Sequence, residues 1–148
     1  MPNTPGEFRI LVVDDEISVL EVMEDMLAGE GWSVDAVASP LLALQRVKRT
    51  RYDALVVDLY MPELPGLLLH AKIKFIDREL SARTVFVSGH FANEQLERAL
   101  TGTPHFVPKP FRAETLVAMV GLALPESPRN ISGGPPASDR PGGTSSRS

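Results

Sequence analysis

The chain has 148 residues, about one domain's worth and long enough to bury a core without disulfide or metal staples. It contains no cysteine, which excludes disulfide frameworks, thiolate metal sites and cysteine nucleophiles. Its formal charge is only −4, so a broad basic nucleic-acid footprint is not expected.

Residues 1–7 are polar and proline-bearing, with no charged-then-apolar signal region, and read as a flexible leader. From residue 8 onward two kinds of segment alternate. Short β-branched or aromatic runs at 8–13, 32–37, 54–57, 84–87 and 106–107 predict five strands. Helical spacing fills the intervals. Val19, Val22, Met23, Met26 and Leu27 share one face of a first helix that Gly29 and Gly31 close. Ser39 as N-cap and Pro40 at the first position open a second, with Leu41, Leu44 and Val47. Further helices are predicted over about 66–80, 92–100 and 113–122. Five strand–helix repeats imply an α/β, doubly wound, five-stranded parallel sheet covered on both faces. The nearly continuous apolar strands agree, because such strands are buried on both sides.

The last segment, 125–148, differs in kind. It holds 5 of the 13 prolines, 4 of the 11 glycines and 6 serines, with Ile131 as its only sizeable aliphatic side chain. Such a stretch cannot bury enough apolar surface to offset its ordering entropy, so it is expected to be a disordered tail. The organisation expected is thus a leader over 1–7, a domain over 8–124 and a tail over 125–148. No apolar run approaches membrane-spanning length, and a cytoplasmic protein without membrane insertion is expected.

The chemistry follows from the strand ends. Strand one runs into Asp14, Asp15 and Glu16, strand three ends at Asp58, strand four at Ser88 and strand five at Lys109. In an open parallel sheet, ligands bind outside the carboxyl ends of the strands, where strand order reverses. Singly, each residue has an ordinary reading: helix cap, turn residue or surface lysine. Arg46, Lys48, Arg49 and Arg51 read as a solvated helix face, and His70, His90 and His105 lack ligand spacing. Four chemically matched residues on one sheet edge are a different matter. Three carboxylates there would repel one another unless a divalent cation and an ammonium balanced them. Hard oxygen ligands suit Mg²⁺, with Mn²⁺ as a substitute. Together with Lys109 such a site complements a transferring phosphoryl group, and Asp58 is the natural nucleophile for an aspartyl-phosphate.

These residues resemble the receiver (CheY-like) domain of bacterial two-component response regulators over about residues 8–123. The resemblance rests on Asp14-Asp15, on Asp58-Leu59-Tyr60-Met61-Pro62 with Gly66 eight beyond the aspartate, on Ser88-Gly89 and on Lys109-Pro110-Phe111. It implies a flavodoxin-like strand order 2-1-3-4-5. It implies that Asp58 accepts a phosphoryl group from a phosphohistidine on a sensor histidine kinase or a histidine phosphotransfer protein. Asp14, Asp15, Asp58 and the backbone carbonyl of Tyr60 would hold Mg²⁺. Ser88, Lys109 and Phe106 would respond to the phosphoryl group, and the bond before Pro110 would be cis. The face built by the predicted 92–100 helix, strand five and the last helix would then change its affinity for a downstream protein, or for a second copy in a phosphorylation-dependent homodimer. Tyr60 and His90, flanking the site, are expected to tune phosphoryl lifetime.

Two features depart from the commonest pattern. Leu64-Pro65 alters the start of the third helix, and Pro108 removes a strand amide, so strand five is expected to be short or at an edge. An aspartyl-phosphate phosphatase usually carries an aspartate two residues after the nucleophile, where this chain has Tyr60, so the expected protein is not an enzyme in that sense. An inert module of the same fold has no reason to keep the whole aspartate–serine–lysine set. With no DNA-reading helix-turn-helix after the last helix, a single-domain regulator acting without direct nucleic-acid contact is expected. A receiver fragment of a larger DNA-binding regulator or hybrid histidine kinase is the alternative.

Overall fold

The computed structural model describes residues 7–89 and 106–129. Five strands, β1 (Arg9–Val13), β2 (Ser33–Val37), β3 (Ala54–Asp58), β4 (Thr84–Ser88) and β5 (Phe106–Pro108), form one parallel sheet in the order β2-β1-β3-β4-β5. Their side chains alternate between two cores. Ile10 and Val12 of β1 face helices α1 (Ile17–Ala28) and α5 (Ala113–Ala123), meeting Leu20, Met23, Leu27, Leu116 and Val120. Leu11 and Val13 face the other side, against α2 (Pro40–Arg49), α3 (Gly66–Ile76) and the short α4 (Arg78–Ala82), through Val47, Leu69, Ile73 and Leu80. Both faces are therefore covered, which is why β3 and β4 are buried at every position.

Local rules account for the edges of these elements. Ser39 is extended and its hydroxyl accepts the Leu42 amide at 3.3 Å, with Pro40 opening α2. β5 is three residues long and lies at the sheet edge, in keeping with the amide missing at Pro108. The single helix expected over 66–80 is instead two. The chain breaks at Asp77, whose backbone is extended (φ −146°, ψ 92°) and whose carboxylate accepts the Leu80 amide at 3.1 Å, capping α4. A side chain that caps the next helix competes with continuation of the first.

Residues 125–129 are placed against the domain, and Arg129 is buried. The predicted 92–100 helix, His90 and His105 lie outside the described residues, as do 1–6 and 130–148. His70 Nε2 donates to the Ser81 carbonyl at 2.8 Å and the ring stands edge-on to Phe86, a packing role. Arg46 pairs with Asp35 at 3.7 Å on the exposed side of α2. No helix among the described residues is long and apolar enough to cross a membrane.

Candidate functional site

The sheet order reverses between β1 and β3, and the crevice above their carboxyl ends holds the predicted residues. β1 and β3 pair in register from Ile10–Ala54 to Val13–Val57, so Asp14 and Asp58 leave the sheet side by side. β3 pairs with β4 up to Asp58–Val87, which sets Ser88 beside them. Carboxylate oxygens of Asp14, Asp15 and Asp58 all lie within 4.8 Å of one another. Asp14 and Asp58 are buried and Asp15 is exposed, leaving the group open on one side. Asp14 is held by the backbone as well, since its Oδ1 accepts the Glu16 amide at 2.9 Å.

Lys109 reaches this group from the edge strand. Its Nζ donates to Asp14 Oδ2 at 2.9 Å and stands 3.6 Å from Asp58 Oδ1 and 3.9 Å from Glu16 Oε1. The Lys109 amide donates to the Ser88 carbonyl at 2.8 Å, tying β5 to β4 at the level of the site. The Lys109–Pro110 bond is cis. Burial works to lower the Lys109 ammonium, but the hydrogen bond and charge of Asp14, with Asp58 and Glu16, outweigh it and hold its pKa above the usual lysine value.

Asp58 is perturbed the other way. Burial and then the neighbouring Asp14 charge push its pKa up to about 6. Lys109 and the Tyr60 amide, which donates to the carboxylate, offset only part of that rise, and Asp15 adds to it. The ionised carboxylates thus carry more negative charge than one ammonium neutralises. A hard divalent cation fits this donor set of carboxylate oxygens.

The remaining predicted residues fall around this centre. Ser88 is buried at the end of β4. Phe106, opposite Phe86 in the β4–β5 register, is buried with it in the α2–α3 core. The Tyr60 side chain is partly exposed beside Asp58, and its amide is one of that carboxylate's hydrogen-bond donors. His90 lies outside the described residues.

Two glycines carry a function that residue chemistry alone did not assign. A Cβ on Gly66 would run into the Asp58 carbonyl oxygen and come within 2.9 Å of Leu59 Cα, while the Gly66 amide donates to the Leu59 carbonyl at 2.8 Å. The start of α3 is thereby pressed against the backbone of the central aspartate, an approach that any side chain would block. A Cβ on Gly89 would meet the Lys109 Cβ at 3.2 Å, so Gly89 leaves the lysine stem its path into the site.

Comparison with known proteins agrees with this architecture. Residues 10–121 match the family described as response regulator receiver domain. Among curated relatives, the response regulator protein TodT of Pseudomonas putida is 30% identical over 131 residues, covering 88% of this chain and 57% of TodT. The response regulator MprA of Mycobacterium leprae is 34% identical over 116 residues, covering 78% of this chain and 50% of MprA. The chain therefore spans about half the length of the curated relatives it matches. Among solved structures, a CheY-like receiver domain protein from Methanospirillum hungatei superposes with a TM-score of 0.69 at 21% identity, covering 78% of this chain and 92% of that one. Chemotaxis protein CheY4 of Vibrio cholerae gives 0.65 at 24% identity, with coverages of 80% and 99%. The acidic crevice at the switch point, the lysine from the edge strand and the family match over the sheet and its helices lead to one conclusion: this chain belongs to the response regulator receiver domain family of two-component systems.

Proposed function

We propose that Asp58 is the phosphoacceptor of this receiver domain. The observation that carries the reading is the convergence of Asp14, Asp15, Asp58 and Lys109 at the switch point, with Asp58 the central carboxylate and Lys109 Nζ 3.6 Å from it. In the reaction a carboxylate oxygen of Asp58 attacks the phosphorus of a phosphohistidine on a sensor histidine kinase or phosphotransfer protein. The new O–P bond forms as the N–P bond breaks, and the imidazole nitrogen leaves with the electron pair. Asp14, Asp15, Asp58 and the Tyr60 carbonyl are the residues that would hold Mg²⁺. That ion supplies neutralisation of the phosphoryl oxygens. Lys109 adds a second positive charge that is already aimed at the reacting carboxylate and needs no rearrangement.

A groove of about 480 Å³ beside the site supports approach by a protein donor. It is lined by Ser18, Val19, Val22 and Met26 of α1 and by Gly89 and the Lys109–Phe111 segment. The donor's histidine can thus sit over Asp58 while its neighbouring apolar side chains cover α1.

On phosphorylation a dianion is added within reach of Ser88 and Lys109. A ligand shifts a two-state element only by contacting its states differently. Ser88 and the adjacent Phe106 are assigned that role, with output through β5, α5 and the 92–100 segment to a downstream protein or a second copy. Tyr60 and His90 are assigned the tuning of phosphoryl lifetime; substitutions at both that leave the autodephosphorylation rate unchanged would remove that assignment.

The deciding experiment is incubation with Mg²⁺ and a small acyl-phosphate donor, followed by intact-mass measurement. A base-labile phosphoryl adduct, absent in Asp58→Asn and in the presence of chelator, is expected. An adduct that persists in Asp58→Asn refutes the assignment.

A further inference from the structure

We propose that residues 125–129 are a strap held by an arginine clasp: Arg129 fills a guanidinium-binding socket at the amino-terminal edge of the sheet and fastens the segment after α5 to the fold. The socket is built from three distant parts of the chain. Arg129 Nη1 donates to the Tyr52 carbonyl at 2.6 Å, and Nη2 donates to Asp77 Oδ1 at 2.9 Å. Nε stands 3.3 Å from Glu79 Oε1. The Arg129 backbone amide donates to Asp53 Oδ1 at 2.6 Å, while the other oxygen of Asp53 accepts the Arg9 amide at 2.7 Å. One carboxylate thus joins the start of β1 to the strap. Arg129, Asp53 and Asp77 are each more than nine-tenths buried, at 8%, 0% and 5% exposure.

Buried carboxylates are costly without a partner, and the socket offers acceptors from three separate residues, Tyr52, Asp77 and Glu79, to one side chain. A guanidinium meets that demand with its rigid fork, whereas the compact ammonium of lysine cannot reach the Tyr52 carbonyl and both acidic residues together. The strap is also held where it leaves α5: Arg83 Nη1 donates to the Ala123 carbonyl at 3.2 Å and Nη2 to Glu79 at 3.3 Å. From Ala123, on the α1–α5 side, the chain passes to Asp77, between α3 and α4 on the other side. It therefore crosses under the sheet. Arg129 thus sits a full strand length away from Asp58, which ends β3.

The test is chemical rescue in the full chain. Arg129→Ala is expected to lower the thermal midpoint by about 10 °C and to speed hydrogen exchange at the Leu80 amide, whose acceptor Asp77 loses its guanidinium partner. Ethylguanidinium at tens of millimolar should then raise the midpoint of Arg129→Ala saturably, as a ligand of the folded state does, and leave the filled wild-type socket unaffected. Arg129→Lys, which keeps the charge without the fork, should recover less than half of the loss and serves as the reference if the alanine variant does not fold. A midpoint within about 2 °C of wild type for Arg129→Ala, full recovery by lysine, or no selective response to ethylguanidinium would overturn the proposal.

Discussion

Replacing Asp58 with asparagine probes the electrostatics of the crevice before any phosphoryl donor is involved. The side chain keeps its shape and an oxygen that can accept the Tyr60 amide, but it loses its charge. In the native state burial and Asp14 push the Asp58 carboxyl up to about 6. An unfolded aspartate titrates near 3.9. At about 1.4 kcal/mol for each tenfold change in acidity, the ionised group costs the native state about 3 kcal/mol at pH 8. Between about pH 4 and pH 6 the native state binds more protons than the unfolded state, so this contribution to stability falls as pH rises and is wholly unfavourable above pH 6. Asp58→Asn should therefore stabilise the protein in chelator at pH 8, by up to about 3 kcal/mol, or roughly 10 °C in midpoint. The gain should shrink toward zero near pH 4. Urea or thermal denaturation of both proteins in EDTA at pH 5 and pH 8 measures it, and millimolar Mg²⁺ should reverse the order by stabilising only the wild type. A variant less stable than wild type in EDTA at pH 8, or a gain that grows on acidification, would refute the electrostatic reasoning.

Lys109→Met removes the ammonium that balances the carboxylates and leaves the fully buried Asp14 without its 2.9 Å ion pair; a loss of about 3 kcal/mol is expected, larger at pH 8 than at pH 5, in denaturation curves without metal. Gly66→Ala places a methyl against the Asp58 and Leu59 backbone, which cannot yield as a side chain can. It should cost about 2 kcal/mol and weaken Mg²⁺ protection of the fold, both read from melts with and without the ion. Tyr52→Phe deletes the hydroxyl that donates to Asp35 at 2.6 Å. Asp35 keeps its arginine neighbours, so the loss should be only about 1 kcal/mol by urea denaturation.

Much of the site was legible along the chain because a parallel sheet converts sequence order into spatial convergence. Apolar runs buried on both faces announce strands, and a polar residue at the end of such a run has no packing reason to be there. Asp14, Asp58, Ser88 and Lys109 stood out on that ground, 95 positions apart at the extremes. The strand order itself, and with it the pairing of Asp14 with Asp58 at the switch point, came from family resemblance and is visible physically only in the registers. The break at Asp77 was not legible, because the apolar spacing runs on past it to Leu80. What ends the helix is a side chain turned to cap the next one.

The order of apolar runs and helical spacing by itself determined that the chain makes one α/β sheet with an acidic edge, and composition that the stretch after Leu124 is poor in apolar side chains. Only the tertiary structure decided that Arg129 is buried with the domain. Composition rules weigh apolar content and local propensity, so they place an arginine among prolines and serines outside the fold. The groups that bury Arg129 are Tyr52, Asp53, Asp77 and Glu79, at least 50 residues away along the chain. The carboxylates of Asp53 and Asp77 become a site for a cation only after the sheet and the α3–α4 corner have brought them together and removed their water.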